Sequence, residues 1–288
     1  MNARVVYDTI EPATVQKGLA VYDVGQGEPL LLLPYPHGYT LRSMAEGELA
    51  HLLVGLGRRV LTFDPPGAYR STRPAQVTMP EMLGCALETL DVRGVSEAVD
   101  LAGHSMGGLC ALAFSLEHPE RVKRLVLIDT ISGGPAVVRW GWQRHYAWWS
   151  ADFWRYIVWG FRLMRGGGSL ALHKRHAQLL SHASYVDKSK VPKICVEEGD
   201  ERRPPPVRDR WAGVARKLDY SGRLGQVRAP TLVCVGRHDP QTPLPCSEEL
   251  VQGIPDARLV VFERSGHSPF VEEPARFAAE VAAFMEEV

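Results

Sequence analysis

Gly103-His104-Ser105-Met106-Gly107 is the stretch of sequence that decides the fold. The apolar run over 98–102 is typical of a buried strand, and the apolar run over 108–114 is typical of a buried helix. A serine between two glycines at such a junction forms a sharp turn that lifts its hydroxyl above the sheet. A side chain at either glycine position would collide with its neighbours, so only glycine fits there.

The five residues alone do not separate a catalytic turn from an ordinary glycine-rich turn. A serine nucleophile needs a base, and the base needs an acid that orients it. Candidates for both follow later in the chain, in the order serine, acid, histidine. At the start of the following helix, the backbone N–H of Met106 is available to bind an oxyanion.

Asp239 is the first candidate for the acid. It follows a strand predicted over 231–235, and ligands bind at the carboxyl ends of strands in open α/β sheets. A turn-forming aspartate before Pro240 is the alternative interpretation. Asp129 is the rival acid because it ends another predicted strand, and we rank it second.

His267 is the candidate base. It lies in a loop marked by Gly266 and Pro269, which could carry the imidazole over the strand ends. A solvated surface histidine is the alternative interpretation, and the order of the three residues favours the catalytic one. His104 adjoins the serine; we expect it to point away from the hydroxyl and include it among the candidate substrate-binding residues.

These segments resemble the α/β-hydrolase superfamily over nearly the whole chain. The resemblance rests on residues 103–108, 236–239 and 265–274, and residues 64–71 are similar to that family's loop after the fourth strand. The histidine segment is similar to proline-iminopeptidase-like and small esterase-like members. The resemblance implies a serine hydrolase with a helical cap and a triad of Ser105, Asp239 and His267.

The sequence departs from the family pattern after the third strand. The family carries His-Gly and an oxyanion-binding residue there, whereas this chain has Pro34-Tyr35-Pro36-His37-Gly38-Tyr39. Because proline has no backbone N–H, Pro36 could not donate to an oxyanion. The second donor is therefore predicted at His37, with Tyr35 and Tyr39 as alternatives.

Strand-like segments alternate with helix-like segments through most of the chain. This alternation predicts an eight-stranded, mostly parallel sheet covered by helices on both faces, the α/β-hydrolase fold. Apolar residues at 277, 281, 284 and 285 would lie on one face of a terminal helix. The predicted strands are 5–10, 19–24, 30–33, 60–63, 98–102, 124–128, 231–235 and 258–262.

The alternation breaks between about residues 133 and 225, where the superfamily inserts a helical cap. We predict a core over 1–132 and 226–288 and a cap over 133–225. The cap's aromatic residues either pack it onto the core or roof an apolar pocket above Ser105. An amphipathic membrane helix is a weaker third interpretation. The tryptophans considered for substrate binding are Trp140, Trp142, Trp148, Trp149 and Trp154, and Trp159 belongs to the same cluster.

Composition favours a soluble enzyme with a small-molecule substrate. Lys and Arg number 33 of 288 residues and Asp and Glu also number 33, so no net charge draws the chain to nucleic acid. The start has no apolar signal core, and no stretch is long enough to span a bilayer. Five scattered cysteines without metal-ligand spacing favour reduced thiols and the cytoplasm. We expect no metal and no organic cofactor.

Three functions remain open from the sequence. The first is hydrolysis of a carboxylic ester with a moderately apolar part, through an acyl-enzyme. The second is a proline-iminopeptidase-like aminopeptidase, and the third is a ligand-binding protein that retains the triad. A serine nucleophile argues against the dehalogenase and epoxide hydrolase chemistry for which the family uses aspartate. The carboxylates considered for an aminopeptidase are Glu197, Glu198, Asp200 and Glu201.

Overall fold

The structure is a computed structural model that describes residues 12–36, 43–74, 76, 78–136, 139, 149–164, 170–192 and 214–286. The strand predicted over 5–10 lies outside these residues.

Eight strands form one sheet. They are β1 (Thr14–Gln16), β2 (Leu19–Val24), β3 (Glu28–Leu33), β4 (Arg58–Phe63), β5 (Val99–His104), β6 (Val122–Ile128), β7 (Thr231–Gly236) and β8 (Ala257–Phe262). Their order across the sheet is β1-β2-β4-β3-β5-β6-β7-β8. Strand β2 pairs antiparallel with β1 and β4, and all other neighbours are parallel. The prediction of an eight-stranded, mostly parallel sheet is confirmed.

The edge strand β1 is absent from our sequence prediction. Its three residues are largely exposed and show no apolar alternation, so the sequence alone carries no strand signal. Its pairing with β2, which places Thr14 opposite Val21, defines it as a strand. A tight turn joins the two strands, and both turn residues, Lys17 and Gly18, have positive φ.

Helices cover both faces of the sheet. Those of eight or more described residues are α1 (Glu48–Gly55), α2 (Met79–Val92), α3 (Met106–Glu117), α4 (Ala151–Met164), α5 (Leu170–Ser184), α6 (Leu244–Gly253) and α7 (Pro274–Glu286). A single helical turn, Pro269–Glu272, precedes α7. No helix in the described part of the chain is long and apolar enough to cross a membrane.

Alternate residues of the inner strands enter different hydrophobic cores. In β3, Leu31 and Leu33 pack in a core with α2, α3 and α6, whereas Leu30 and Leu32 pack in a core with α1 and α7. All four leucines are fully buried. Helix α7 contributes its predicted apolar face, Phe277, Val281, Phe284 and Met285, to the second core.

This topology brings four chemically active residues to one end of the sheet. Ser105 directly follows β5, Asp129 directly follows β6, Asp239 follows β7 and His267 follows β8. Because these strands are neighbours and parallel, their carboxyl ends meet at one edge. Helices α4 and α5 lie in the segment predicted to be a cap, and the division of the chain into core and cap stays a prediction.

Candidate active site

Ser105 lies in a strained turn between β5 and α3. Its φ is 53° and its ψ is −122°, a conformation that residues other than glycine rarely adopt. A Cβ at Gly103 would lie 2.3 Å from the carbonyl oxygen of Gly107, and a Cβ at Gly107 would lie 2.4 Å from that of Leu33. The predicted need for glycine at both positions is confirmed.

The start of α3 provides donors beside the Ser105 hydroxyl. Met106 is the first residue of that helix, where a backbone N–H has no intrahelical acceptor. The helix dipole also favours negative charge at this end. The Thr130 hydroxyl donates to the carbonyl oxygen of Ser105 over 2.6 Å and so holds the turn against β6.

Asp239, His267 and Ser105 form one hydrogen-bonded chain. His267 Nδ1 lies 2.7 Å from Asp239 Oδ2, and His267 Nε2 lies 3.0 Å from Ser105 Oγ. The aspartate and the histidine are both buried. The structure therefore brings together the three residues predicted from the sequence, in the geometry of a serine nucleophile, its base and an orienting acid. Their catalytic roles remain predictions.

Asp239 is held as a carboxylate. Burial alone would raise its pKa, but the facing His267 imidazole and several hydrogen-bond donors lower it to about 2. The Thr242 hydroxyl donates to Oδ2 over 2.6 Å, and the backbone N–H of Gln241 donates to Oδ1 over 2.7 Å. An ionised Asp239 can accept the Nδ1 proton of His267 and fix that tautomer.

Asp129 is fully buried beside the hydrogen-bonded residues Asp239, His267 and Ser105, but it forms no hydrogen bond with His267. Its Oδ1 accepts the backbone N–H of Gly236 over 2.9 Å, and its Oδ2 has no hydrogen-bond partner. Burial and the charge of Asp239 raise the pKa of Asp129 well above its usual range. Its hydrogen bond goes to Gly236, and the bond to the imidazole belongs to Asp239.

His104 lies next to the hydrogen-bonded residues Ser105 and His267, and its side chain is buried. Its Nε2 is 2.7 Å from the carbonyl oxygen of His267, and its Nδ1 bonds to the Tyr35 hydroxyl. Its ring packs edge-on against Phe270 with centroids 5.0 Å apart. Its predicted role in binding substrate remains a prediction.

Several carboxylates and carbonyls that hold the His267 loop were missed from the sequence. Glu272 accepts the backbone N–H of Gly266 over 2.6 Å, and Glu273 accepts the Ser265 hydroxyl over 2.8 Å. The backbone N–H of His267 donates over 2.8 Å to the carbonyl oxygen of Ser184, the last residue of α5. The sequence signal for these contacts was the pair of adjacent glutamates after the loop, because buried carboxylates need hydrogen-bond donors nearby and the loop can supply them.

One group of described side chains has the ligand types of a metal site. His104, Asp129 and His267 each offer an atom, and these atoms lie within 4.8 Å of one another. Both nitrogens of each imidazole already bond to protein groups. The cluster is the interior of the hydrogen-bonded site, and we assign it no metal.

The other predicted site residues are divided between described and undescribed parts of the chain. Tyr35 follows β3, and Leu33 just before it contacts the Ser105 turn. Trp149 and Trp154 are 74% and 56% exposed, so neither is enclosed by the core. The residues outside the described part are His37, Tyr39, Trp140, Trp142, Trp148, Glu197, Glu198, Asp200 and Glu201.

Comparison with known proteins identifies the family of the chain. The alpha/beta hydrolase fold family model matches residues 35–274. The 2-hydroxy-6-oxononadienedioate/2-hydroxy-6-oxononatrienedioate hydrolase of Cupriavidus pinatubonensis is 31% identical over 81% of this chain and 78% of its own length. The 2-hydroxymuconate semialdehyde hydrolase of Pseudomonas putida is 30% identical over 86% of this chain and 90% of its own length.

Solved structures share the fold. An alpha/beta fold family hydrolase from Bacillus anthracis has a TM-score of 0.74 at 21% identity and covers 92% of this chain and 94% of its own. A meta-cleavage product hydrolase from Pseudomonas fluorescens has a TM-score of 0.68 at 23% identity and covers 93% of both chains.

Proposed function

The chain belongs to the α/β-hydrolase fold family, and we propose that it is a hydrolase in which Ser105 forms an acyl-enzyme with a small substrate. The observation that carries this proposal is the hydrogen-bonded chain from Asp239 through His267 to Ser105, with distances of 2.7 Å and 3.0 Å. The strained turn at Ser105 adds support, because backbone strain of this kind clusters at functional sites.

In the first half of the reaction, Ser105 Oγ attacks a carbonyl carbon and His267 Nε2 takes its proton. The ionised Asp239 stabilises the imidazolium that forms. The backbone N–H of Met106 faces the charge that develops on the carbonyl oxygen. We propose a second donor in the loop after β3, at His37, Tyr35 or Tyr39. Loss of one such donor typically costs on the order of a hundredfold in rate.

In the second half, His267 returns the proton to the leaving atom as its bond to the carbonyl carbon breaks. Water then attacks the acyl-enzyme, and His267 takes a proton from that water and passes it to Ser105 as the acid departs. Water is the only co-reactant in this cycle, and we propose no cofactor.

An ester is the first candidate for the bond that is cleaved. In the described part of the chain, no Lys or Arg side chain forms a hydrogen bond or ion pair with Ser105, Asp239 or His267. The polar groups there that bond to the triad residues include the Thr242 hydroxyl, the backbone N–H of Gln241 and His104, and the carboxyl group of Asp129 lies beside them. Such surroundings favour a neutral ester with a partly apolar group.

A carbon–carbon bond is the second candidate, and the relatives favour it. The compound named in 2-hydroxymuconate semialdehyde hydrolase contains an aldehyde and no ester, so water must cleave a carbon–carbon bond beside its carbonyl group. The same attack by Ser105 would begin that reaction. His267 would then deliver the proton to a carbon leaving group.

Direct comparison of two substrates tests the proposal. Purified protein would be assayed with p-nitrophenyl butyrate and with a 2-hydroxy-6-oxodienoate, each with the Ser105→Ala variant as control. We expect the larger kcat/KM for the ester and loss of both activities in the variant. A larger value for the dienoate would assign carbon–carbon cleavage. Turnover of neither, with tight retention of a ligand, would favour a binding protein.

A cytoplasmic location is also proposed. The four described cysteines, Cys85, Cys110, Cys234 and Cys246, are buried free thiols, which suits a reducing compartment. Cys195 lies outside the described residues.

A further inference from the structure

His104 joins two loops that lie far apart in the sequence. Its Nδ1 bonds to the hydroxyl of Tyr35, 69 residues earlier, and its Nε2 bonds to the carbonyl oxygen of His267, 163 residues later. Tyr35 belongs to the loop after β3, and His267 belongs to the loop after β8. Both loops reach the same end of the sheet, on either side of Ser105.

The direction of both hydrogen bonds follows from the chemistry of the groups. A carbonyl oxygen can only accept, so Nε2 of His104 carries the proton and donates it to His267. In a neutral imidazole the other nitrogen then accepts, and Tyr35 must donate its hydroxyl proton to Nδ1. The bridge therefore requires one tautomer of an uncharged His104.

The groups around His104 favour this uncharged form of its imidazole. Burial, and next the electrostatic effect of the neighbouring His267, lowers the pKa of His104 to about 3. Burial also raises the pKa of the Tyr35 phenol well above its usual range, so it remains a donor. The other titratable groups that face His104 are Asp129, with Oδ2 4.0 Å from Nε2, and Asp239. Neither gives His104 a hydrogen bond.

The last residue of β3 and the first residue of the loop after it, Leu33 and Pro34, also pack against the nucleophile turn. The carbonyl oxygen of Leu33 lies so close to Gly107 that a Cβ there would be 2.4 Å away. Pro34 and Pro36 flank Tyr35 and carry no backbone N–H, so this segment has fewer backbone donors to hold it in place. The Tyr35 hydroxyl supplies one such bond.

We propose that His104 is a positioning residue that ties the loop after β3 to His267, so that oxyanion donor and base keep their places around Ser105. This inference rests on the proposed function. This positioning role is separate from the substrate binding that the sequence predicts for His104. A shift of about 1 Å in either loop would be enough to lower the rate by up to a hundredfold.

Three substitutions break the bridge at defined ends. Tyr35→Phe removes the donor and keeps the ring. His104→Gln places an amide nitrogen near the position of Nε2, which keeps a donor for His267 and removes the acceptor for Tyr35. His104→Asn places an amide oxygen near Nδ1, which keeps that acceptor and removes the donor.

The readout is the labelling of Ser105 by a small fluorophosphonate, which needs no knowledge of the natural substrate. We expect each variant to lower the maximal labelling rate, kinact, about tenfold while the half-saturating concentration, KI, stays within twofold. Adding Tyr35→Phe to either His104 variant should change kinact less than twofold, because the bridge is already broken.

The inference is overturned if kinact is unchanged, if KI rises instead, or if the effects of Tyr35→Phe and His104→Gln multiply. Thr89→Val is the matched control, because it removes a buried hydroxyl donor in α2, away from the site. It should lower the melting temperature without changing kinact. If wild-type protein is not labelled at all, the proposed function fails instead, which separates the two results.

Discussion

His267 Nδ1 lies 2.7 Å from Oδ2 of Asp239, although a second buried carboxyl group, that of Asp129, sits in the same cluster. Asp129 bonds instead to the backbone N–H of Gly236. The two acids that sequence reasoning left in competition are therefore distinguished by their hydrogen bonds.

Replacement of the two acids should have very different effects. Asp239→Asn would face the imidazole with an amide and favour the wrong tautomer, so kcat should fall about ten-thousandfold, as in other triads. Asp129→Asn keeps an oxygen that can still accept from Gly236 and leaves the bond between Asp239 and His267 in place, so kcat should stay within about fivefold. The measurement is p-nitrophenyl ester turnover, and the reverse ranking would transfer the role to Asp129.

His104 should make the protein sensitive to acid. Its pKa of about 3 in the folded state lies below its ordinary value of about 6.5, so the unfolded chain binds a proton that the folded chain refuses. Its contribution to stability is present above about pH 6.5 and is lost as pH falls toward 3, by about 1.4 kcal/mol per pH unit.

Urea unfolding of wild type and His104→Gln between pH 6 and pH 4 measures this contribution. The wild-type free energy of unfolding should fall more steeply, by the equivalent of about one proton. If the free energy of unfolding falls equally with pH in the two proteins, His104 takes up its proton in the folded state as readily as in the unfolded state, which contradicts the prediction.

A buried charge cluster at the other end of β5 should matter for stability alone. Asp100 is 2% exposed and bonds to Arg124 at 2.8 Å and to Arg58 at 3.2 Å. Arg124→Met leaves this carboxylate partly unpaired and should cost about 3–5 kcal/mol of unfolding free energy. Labelling of Ser105 in the folded fraction should not change.

The matched control is Arg223→Met, which breaks an exposed pair with Glu117 at 2.6 Å. Exposed pairs contribute about 0–1 kcal/mol, so this variant should unfold close to wild type. A loss at Arg124 no larger than that at Arg223 would contradict the argument from burial.

The tryptophans between residues 140 and 159 should influence substrate length. If one of them lines the pocket, each buried methylene of an acyl chain contributes about 0.8 kcal/mol, or roughly fourfold in binding. We expect at least one of the six Trp→Ala variants to flatten the dependence of kcat/KM on acyl length while its melting temperature holds. Assays with p-nitrophenyl esters from acetate to octanoate measure how kcat/KM depends on acyl length.

Trp154 is a suitable first variant, because its side chain is 56% exposed and its loss should leave the fold intact. If all six variants lower the melting temperature and leave the length dependence unchanged, specificity must come from the loop that contains Tyr35 and His37 and from Tyr69 in the loop over residues 64–71.

Much of the fold was predictable because it rests on local patterns. Apolar runs marked the strands from β2 to β8, and the periodicity over Phe277 to Met285 marked the buried face of α7. The order of Ser105, Asp239 and His267 followed from the strands that precede them. Each of these signals lies within a short segment of sequence.

What could not be predicted depends on contacts between distant segments. Strand β1 exists through its pairing with β2, and its own three residues are largely exposed. The bridge from Tyr35 through His104 to His267 spans two loops, and from the sequence we expected His104 to point away from Ser105 and to bind substrate. The sequence ranked Asp239 above Asp129, but the hydrogen bond that distinguishes them depends on the position of the imidazole, which no local pattern contains.

The central claim is that Ser105 is the nucleophile, and covalent labelling tests it most directly. Wild-type protein and the Ser105→Ala variant would be treated with a fluorophosphonate, digested and analysed by mass spectrometry. The account predicts one modified peptide, with the adduct on Ser105, and no labelling of the variant. Labelling that persists in the variant, or an adduct on another residue of the wild type, would place the nucleophile elsewhere and contradict the account.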